Sequence, residues 1–296
     1  MKKLIKKFSA WQLILVIGMF LLTLTMIIPL LNILARSLSD PSVSPYMSGL
    51  DILPQKFNLI NYKIILNHPI LIPALLNSIF ITIVGTSINI LLTTMAAYAL
   101  TRPGLVFKKV IMIFLIIMML FDPGLVPEYL VIKELGLMGS LWSVILVTAV
   151  NVYYLIIMMR FFEEVPTALY EAATIDGAGH LKTFFHIAVP LAKPGIATIT
   201  MFYAVVRWNE YFKSGIYMTK ASKTTLQVLL RQFVVLNDTA SLIGAENLLN
   251  NNEWAQVDMI ALKNATIVIA ILPILLIYPL VLKFYTKDIM AGGVKE

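Results

Sequence analysis

The chain has 296 residues, of which 59% are apolar and only 13% are charged, and its mean hydropathy is +0.86. Soluble domains carry about 25% charged residues, so this composition excludes an ordinary soluble protein and indicates a polytopic membrane protein. The sequence has no cysteine, which excludes disulfides, thiolate metal sites and cysteine nucleophiles. Its net charge is +7, but the basic residues bracket apolar runs, which indicates membrane topology and argues against a nucleic-acid partner.

The N-terminal segment has a basic start followed by a long apolar run. Residues 8–35 contain no charge, which makes the run far longer than the core of a secretory signal, and no A-x-A cleavage site follows it. The sequence therefore predicts a retained first transmembrane helix.

Six segments are long and apolar enough to cross a membrane, which takes about 20 residues in a helix. The predicted spans are 12–35, 72–100, 106–127, 140–159, 194–217 and 264–283. We therefore expect an all-α fold, with residues 1–296 forming a single transmembrane domain of six helices. Asp122-Pro123-Gly124 predicts a break near the outer end of the third span.

The basic residues outside the fifth span predict the orientation of these helices. Thirteen Lys and Arg fall in the short connections on one side, and eight fall in the longer connections on the other. Since cytoplasmic loops are enriched in Lys and Arg, we expect a cytoplasmic loop 160–193, a cytoplasmic tail 284–296 and both termini inside. Segments 36–71, 128–139 and 218–263 are then external, and residues 224–236 suit an amphipathic helix near the membrane surface.

The predicted cytoplasmic loop carries the most informative pattern of the chain. Glu171-Ala172-Ala173 is followed after three residues by Gly177, after nine more by Ile187, and after one more by Val189-Pro190. Alanine favours helix, Pro166 suits a first helical turn, and Gly177 accepts the positive φ that ends a helix. The pattern predicts a helical hairpin, and the triplet alone leaves open a surface hairpin without a partner.

The spacing resembles the EAA loop of permease subunits of ATP-binding-cassette (ABC) importers, which docks on a separate ATPase. The ending AAYALTR of the second span and the tail AGGVKE extend the resemblance over essentially the whole chain. Val189 departs from it, because the family favours Leu there. The ATPase-coupling residues that the resemblance implies are Glu171, Ala172, Ala173, Asp176, Gly177, Ala178, Ile187 and Pro190. Gly292 and Gly293 resemble the tail of maltose-type permeases, which reaches between the ATPase subunits, although a frayed tail is the alternative.

Charged and aromatic residues interrupt the fifth span and suggest a substrate pathway. Arg207 and Glu210 are three residues apart, so on a helix they share a face and can pair. Ionisable residues inside a membrane are functional by default, and aromatic rings beside amides suit sugars. The candidates are Arg207, Trp208, Asn209, Glu210 and Tyr211, although helical geometry prevents all five from facing one lumen. The alternative is that the charged pair clamps the span to a neighbouring helix.

The sequence contains no P-loop pattern and no catalytic constellation, and its three histidines suggest no metal site. We therefore expect a non-enzymatic chain without its own cofactor, with ATP and Mg²⁺ bound by a partner. The resemblance implies a second homologous permease, an ATPase dimer and an extracellular substrate-binding protein in the cell membrane. The function that it implies is sugar or oligosaccharide import by alternating access. The alternatives are a phosphate, polyamine, peptide or amino-acid cargo, or an ion-coupled secondary transporter with Arg207 and Glu210 as its relay.

Overall fold

The computed structural model describes residues 10–236 and 258–292, and every named element in them is a helix. The α-helices are α1 (Ala10–Ser37), α2 (Ile60–Leu66), α3 (Leu71–Thr101), α4 (Lys108–Leu120), α5 (Leu125–Glu134), α6 (Leu141–Val147), α7 (Val152–Glu163), α8 (Thr167–Ile175), α9 (His180–Thr183), α10 (Val189–Leu191), α11 (Lys193–Trp208), α12 (Phe212–Tyr217), α13 (Leu226–Leu230) and α14 (Met259–Gly292). Short π-helical segments cover Phe184–Ala188 and Arg231–Val235. The all-α prediction is confirmed.

Three of the predicted spans are continuous helices and the others are bent. Trp11–Ser37, Leu71–Thr101 and Met259–Leu276 are each long and apolar enough to cross a membrane. The pair α4 and α5 bends by 110°, the pair α6 and α7 by 53°, and the segment His180–Leu191 bends by 82° relative to α11. Counting each bent pair as one span gives up to six spans in the described residues.

The break in the third span lies where the sequence predicts it. Helix α4 ends at Leu120, and Asp122 Oδ1 accepts a hydrogen bond from the Gly124 N–H at 2.9 Å. Gly124 has φ +81°, a conformation that glycine adopts without steric cost. The Asp-Pro-Gly turn therefore redirects the chain into α5.

The predicted span 194–217 is divided into two helices. Helix α11 ends at Trp208 and α12 begins at Phe212, so Arg207 and Glu210 do not share a helical face. The side chain of Asn209 donates to the Val205 carbonyl at 2.9 Å, and the Glu210 carboxylate accepts from the Lys213 N–H at 2.7 Å. Short polar side chains compete in this way with the backbone bonds of a helix, and here they end one helix and start the next.

The described residues group into two compact units, one comprising residues 10–68, 232–236 and 258–272 and the other comprising 69–231 and 273–292. In the first unit, polar contacts tie the end of α1 to α2. The Ser37 hydroxyl and the Tyr62 hydroxyl are 2.7 Å apart, and the Asn61 amide donates to the Ser37 carbonyl at 3.1 Å. Hydrogen bonds from Ser42, and then from Asn58, lower the pKa of Asp40 to about 2. The loop after α1 is therefore ordered by its own polar side chains.

In the second unit, α3 packs against α6, α7, α11 and α13. One apolar cluster includes Tyr98, Phe162, Phe184 and Ile199, and another includes Ile81, Val144 and Tyr217. Gly195 on α11 lies so close to α7 that a Cβ at this position would be 2.2 Å from Cγ of Phe161. Small residues permit this close approach between membrane helices.

Candidate functional site

Residues 167–191 form a helical hairpin, as the sequence predicts. Helix α8 is followed by a turn at Asp176–Gly179, then by α9, a π-helical segment and α10. Pro166 precedes the first helical residue and has extended ψ, so it occupies the cap position and not the first turn. Gly177 has φ +74°, the conformation expected of a glycine that ends a helix.

The turn at Gly177 has the hydrogen bonds of a Schellman motif, in which the two residues after the helix donate back to its last turn. The Gly177 N–H donates to the Thr174 carbonyl at 3.1 Å, and the Ala178 N–H donates to the Ala173 carbonyl at 2.9 Å. A side chain at Gly177 would be strained there whatever space surrounds it. The backbone of this turn is therefore defined locally.

The hairpin is anchored by one face and exposes the other. Ala173, Phe184 and Ala188 are buried, while Ile175 on the opposite side is 85% exposed. Of the predicted coupling residues, the exposed ones are Glu171, Ala172, Asp176 and Gly177, the half-buried ones are Ala178, Ile187 and Pro190, and Ala173 is buried. The pattern leaves the outer surface of α8 and its turn accessible.

Aromatic stacking fastens the hairpin to the end of α3. The guanidinium carbon of Arg102 lies 3.6 Å from the ring centroid of Tyr170 on α8 and 4.6 Å from that of Tyr98 on α3. The Tyr98 ring is also 5.2 Å from the Phe184 ring. Such cation–π contacts are favourable at partly buried positions, so Arg102 links the two elements.

Arg207 is 4% exposed and bonds to the bend between α6 and α7. Its guanidinium donates to the carbonyls of Val144, Ile145 and Thr148 at 2.7, 2.8 and 3.0 Å. The last carbonyls of a helix lack intrahelical partners and carry partial negative charge. The buried cation therefore caps the C-terminus of α6 and needs no carboxylate.

Two further side chains complete the hydrogen bonds of this bend. Asn89 on α3 accepts from Arg207 Nε at 2.9 Å and donates to the carbonyls of Thr148 and Ala149 at 2.6 and 2.8 Å. The Tyr203 hydroxyl accepts from the Asn151 N–H at 3.0 Å and lies 2.8 Å from the Thr93 hydroxyl. Polar side chains thus supply the hydrogen bonds that the backbone of a broken helix cannot obtain from water inside a membrane. We name Asn89, Thr93, Tyr203 and Arg207 the bend cluster.

The other pathway candidates separate into buried and exposed positions. Trp208 is buried, Glu210 is half-buried, and Asn209 and Tyr211 are exposed at the break after α11. The guanidinium carbon of Arg231 lies 5.2 Å from the Tyr211 ring centroid. The structure therefore brings Asn209 and Tyr211 to the surface but takes Arg207 and Trp208 into the protein.

A salt bridge next to this break joins α12 to α5. Lys213 Nζ lies 2.7 Å from Glu128 Oε2, and the Tyr217 hydroxyl donates to the other carboxylate oxygen of Glu128.

Within residues 10–236 and 258–292, no group of three or more His, Asp or Glu side chains is placed to hold a metal ion.

Sequence reasoning did not single out Asn89, Thr93 or Tyr203 as partners of Arg207. A signal existed, because Asn89 and Thr93 are four residues apart in an apolar span and so lie on one helical face.

Gly292 ends the last described helix, whereas Gly293 lies outside the described residues.

Apolar spans, buried polar helix breaks and an exposed hairpin together define a polytopic membrane transport protein. Residues 87–290 match the family "Binding-protein-dependent transport system inner membrane component". The chain belongs to this family, the permease subunits of ABC importers.

Curated relatives and a solved structure match nearly the full chain. The polygalacturonan/rhamnogalacturonan transport system permease protein YtcP of Bacillus subtilis strain 168 is 37% identical over 94% of this chain and 95% of its own length. Protein LplC of the same strain is 38% identical over 91% of this chain and 89% of its own. A crystal structure of a bacterial ABC transporter involved in the import of the acidic polysaccharide alginate matches with a TM-score of 0.84 and 27% identity, covering 94% of this chain and 99% of the other.

Proposed function

We propose that this chain is the permease subunit that carries an oligosaccharide into the cytoplasm, driven by ATP hydrolysis on a separate subunit. The observation that carries the proposal is the hairpin 167–191, which has two backbone hydrogen bonds across its turn and is anchored on one face. A lever must transmit force without bending, and the Schellman turn with the Arg102 contacts supplies that stiffness.

The exposed side of the hairpin suits a protein partner. Ile175, Leu181 and Phe185 are 85%, 69% and 54% exposed in a segment that precedes the apolar helix α11. Large apolar side chains on a surface outside the bilayer favour a protein contact. The coupling residues 171–173, 176–178, 187 and 190 would rest in a cleft of the ATPase. To drive transport, that contact must differ in strength between the inward-open and outward-open states.

The proposed assembly contains this chain, a second homologous permease, two ATPase copies and an extracellular substrate-binding protein. The proposed location is the plasma membrane, and the charge asymmetry of the connections supports an orientation with both termini and the hairpin in the cytoplasm. The tail residues Gly292 and Gly293 would then reach the ATPase pair. ATP and Mg²⁺ would be held by the ATPase, because the sequence of this chain has no P-loop.

Two relatives with polysaccharide cargo support a sugar substrate. Exposed Asn209 and Tyr211 supply an amide and an aromatic ring, which together suit hydroxyl groups and the apolar face of a sugar. Arg231 beside Tyr211 adds a cation that would favour a carboxylated sugar unit. The buried Arg207 and Trp208, by contrast, would stabilise the helices that form the wall of the pathway without facing the sugar. We therefore propose an oligosaccharide with acidic units as the cargo.

The test is uptake by the complete transporter in proteoliposomes, with hydrolysis and transport measured together. Stimulation of ATP hydrolysis by the loaded binding protein, together with accumulation of an acidic oligosaccharide, is the expected result. Accumulation driven by an ion gradient in the absence of ATP would contradict the proposal. Uptake of phosphate, a polyamine, a peptide or an amino acid with no sugar uptake would contradict the cargo assignment alone.

A further inference from the structure

A cavity of about 330 Å³ lies between the end of α3 and the second half of the hairpin. Its lining residues are Met95, Tyr98, Ala99, Arg102, His180, Leu181 and Phe184. The volume falls within the range of small-molecule pockets, about 300–1,000 Å³. The lining is mostly apolar, and Arg102 contributes its fixed positive charge.

The cavity opens on a face of α3 that is exposed in the described part of the chain. Leu91, Met95 and Ala99 are four residues apart, share one helical face and are all exposed. Arg102 directly follows the last helical residue of this span. At about 1.5 Å per residue, Met95 and Arg102 are roughly 10 Å apart along the helix. The cavity thus extends from the end of a membrane span toward its interior, along an apolar surface.

The segment that follows α3 and the segment around α9 carry charges of one sign. Residues 101–121 contain Arg102, Lys108 and Lys109 but no Asp or Glu, and residues 179–193 contain Lys182, Lys193 and two histidines but no Asp or Glu. Among the described residues, the one hydrogen bond that the Arg102 side chain donates is a 3.5 Å contact to the Thr101 hydroxyl. Its terminal nitrogens therefore retain donors for an anion.

An apolar cavity with a guanidinium at the end of a membrane span matches one kind of occupant. Basic pockets between helices on the cytoplasmic side bind anionic headgroups, while an apolar helix surface accommodates an acyl chain. A second transmembrane helix would use the apolar face but leave the cations unmatched. The charge therefore favours a lipid over a protein helix.

We propose that this cavity binds an anionic phospholipid of the inner leaflet, with its phosphodiester at Arg102 and an acyl chain along Met95 and Ala99. The proposal rests on the proposed function only in placing the hairpin at the inner leaflet. Because His180, Leu181 and Phe184 belong to the hairpin, a lipid in the cavity would support the hairpin where it meets the end of α3. The membrane composition would then modulate the coupling between hydrolysis and uptake.

The experiment is native mass spectrometry of the complete transporter from nanodiscs of equal phosphatidylglycerol and phosphatidylcholine content. We expect retained phosphatidylglycerol in preference to phosphatidylcholine, and a preference about fivefold weaker in Arg102→Ala, the size expected for one cation near an anionic surface. Ala99→Trp fills the cavity while keeping Arg102 and its stacking, so it should lose the retained lipid with the hairpin in place. Arg160→Ala is the matched control, because Arg160 is an exposed arginine of α7 outside the cavity lining, and it should keep the preference.

Equal retention of the two lipids by the unaltered transporter would overturn the proposal. A preference that survives both Arg102→Ala and Ala99→Trp would overturn it as well. A thiol cross-link from Leu181→Cys to a protein subunit, without any lipid preference, would assign the cavity to that subunit instead. Lipid retention is read independently of transport, so normal sugar uptake without lipid selectivity would reject this site and leave the proposed function standing.

Discussion

Arg207 on α11 donates from Nε to Oδ1 of Asn89 on α3 at 2.9 Å, and both side chains turn to the same carbonyl, that of Thr148. Asn89 thus accepts a hydrogen bond from the guanidinium and donates one to the same carbonyl oxygen that the guanidinium contacts. The carbonyls come from the bend of the fourth span, so three separate helical segments meet through two polar side chains. A charge is tolerated here because it caps a helix C-terminus in place of water.

We predict that Arg207→Ala destabilises the folded permease by about 3 kcal/mol or more, because each unsatisfied buried polar group costs about 1–3 kcal/mol. Arg207→Lys should recover little of the loss, since one ammonium does not reproduce the planar fork of donors. Thermal unfolding of the purified transporter measures this. Arg160→Ala is the control, because Arg160 forms an exposed pair with Glu163 and should cost under about 1 kcal/mol. An Arg207→Ala protein with an unchanged Tm would refute the capping role.

Gly85 provides the space for this guanidinium. A Cβ at Gly85 would lie 3.0 Å from Arg207 Nε and 3.2 Å from Cδ, so Gly85→Val should displace the arginine and lower the Tm by several degrees. A loss of about 1–3 kcal/mol is typical of overpacking in a protein interior. Gly18→Val is the matched control, since a Cβ there meets nothing within 4 Å. Equal effects of the two substitutions would show that general helix propensity, and not the arginine, determines the result.

The contact between Gly195 and Phe161 allows a double-mutant test of the packing of α11 on α7. Gly195→Ala alone should destabilise the protein by about 1–3 kcal/mol, because the new methyl group overlaps the Phe161 ring. Phe161→Ala also removes apolar contacts, but the double variant should be more stable than the sum of the two losses predicts. The coupling energy, about 0.5–3 kcal/mol for residues in contact, is the measured quantity. Strict additivity would mean that the two positions do not touch.

Gly177→Pro should leave membrane insertion intact while separating ATP hydrolysis from uptake. Proline cannot adopt the positive φ of this turn, and it removes the N–H that donates to Thr174. Glu171→Lys, which reverses an exposed charge on α8, should have the same effect without altering the turn. Hydrolysis and sugar uptake by the same proteoliposomes measure the coupling ratio. Normal uptake by both variants would count against the hairpin as a lever.

Arg231→Ala should reduce uptake of an acidic oligosaccharide and leave uptake of its neutral, carboxyl-reduced counterpart nearly unchanged. The reason is that a guanidinium pairs with a carboxylate but contributes less to a neutral sugar. Tyr211→Ala should reduce the uptake of both, because ring stacking does not depend on charge. Lys133→Ala serves as a control, since Lys133 is another cation on the proposed external side. A uniform loss for both sugars in Arg231→Ala would contradict a role in charge recognition.

Features determined by neighbouring residues could be predicted from the sequence, and those determined by distant partners could not. The spans, the Asp122-Pro123-Gly124 break and the positive φ of Gly177 follow from local composition and turn chemistry. Helical spacing allows Arg207 and Glu210 to pair, but Asn209 and Glu210 end the helix first. The partners of Arg207 lie 59 to 118 residues away in sequence, so they emerged only from tertiary packing.

The most direct test of the account uses single cysteines in this cysteine-free chain, within the assembled transporter in sealed, right-side-out vesicles. Ile175→Cys places a thiol on the exposed side of α8, and Tyr46→Cys, at a residue that is 87% exposed, places one on the proposed external side. The account predicts that a membrane-impermeant thiol reagent labels only Tyr46→Cys, and that a thiol-to-amine cross-linker joins Ile175→Cys to the ATPase. Labelling of Ile175→Cys from outside, or the absence of any ATPase cross-link from it, would contradict the account.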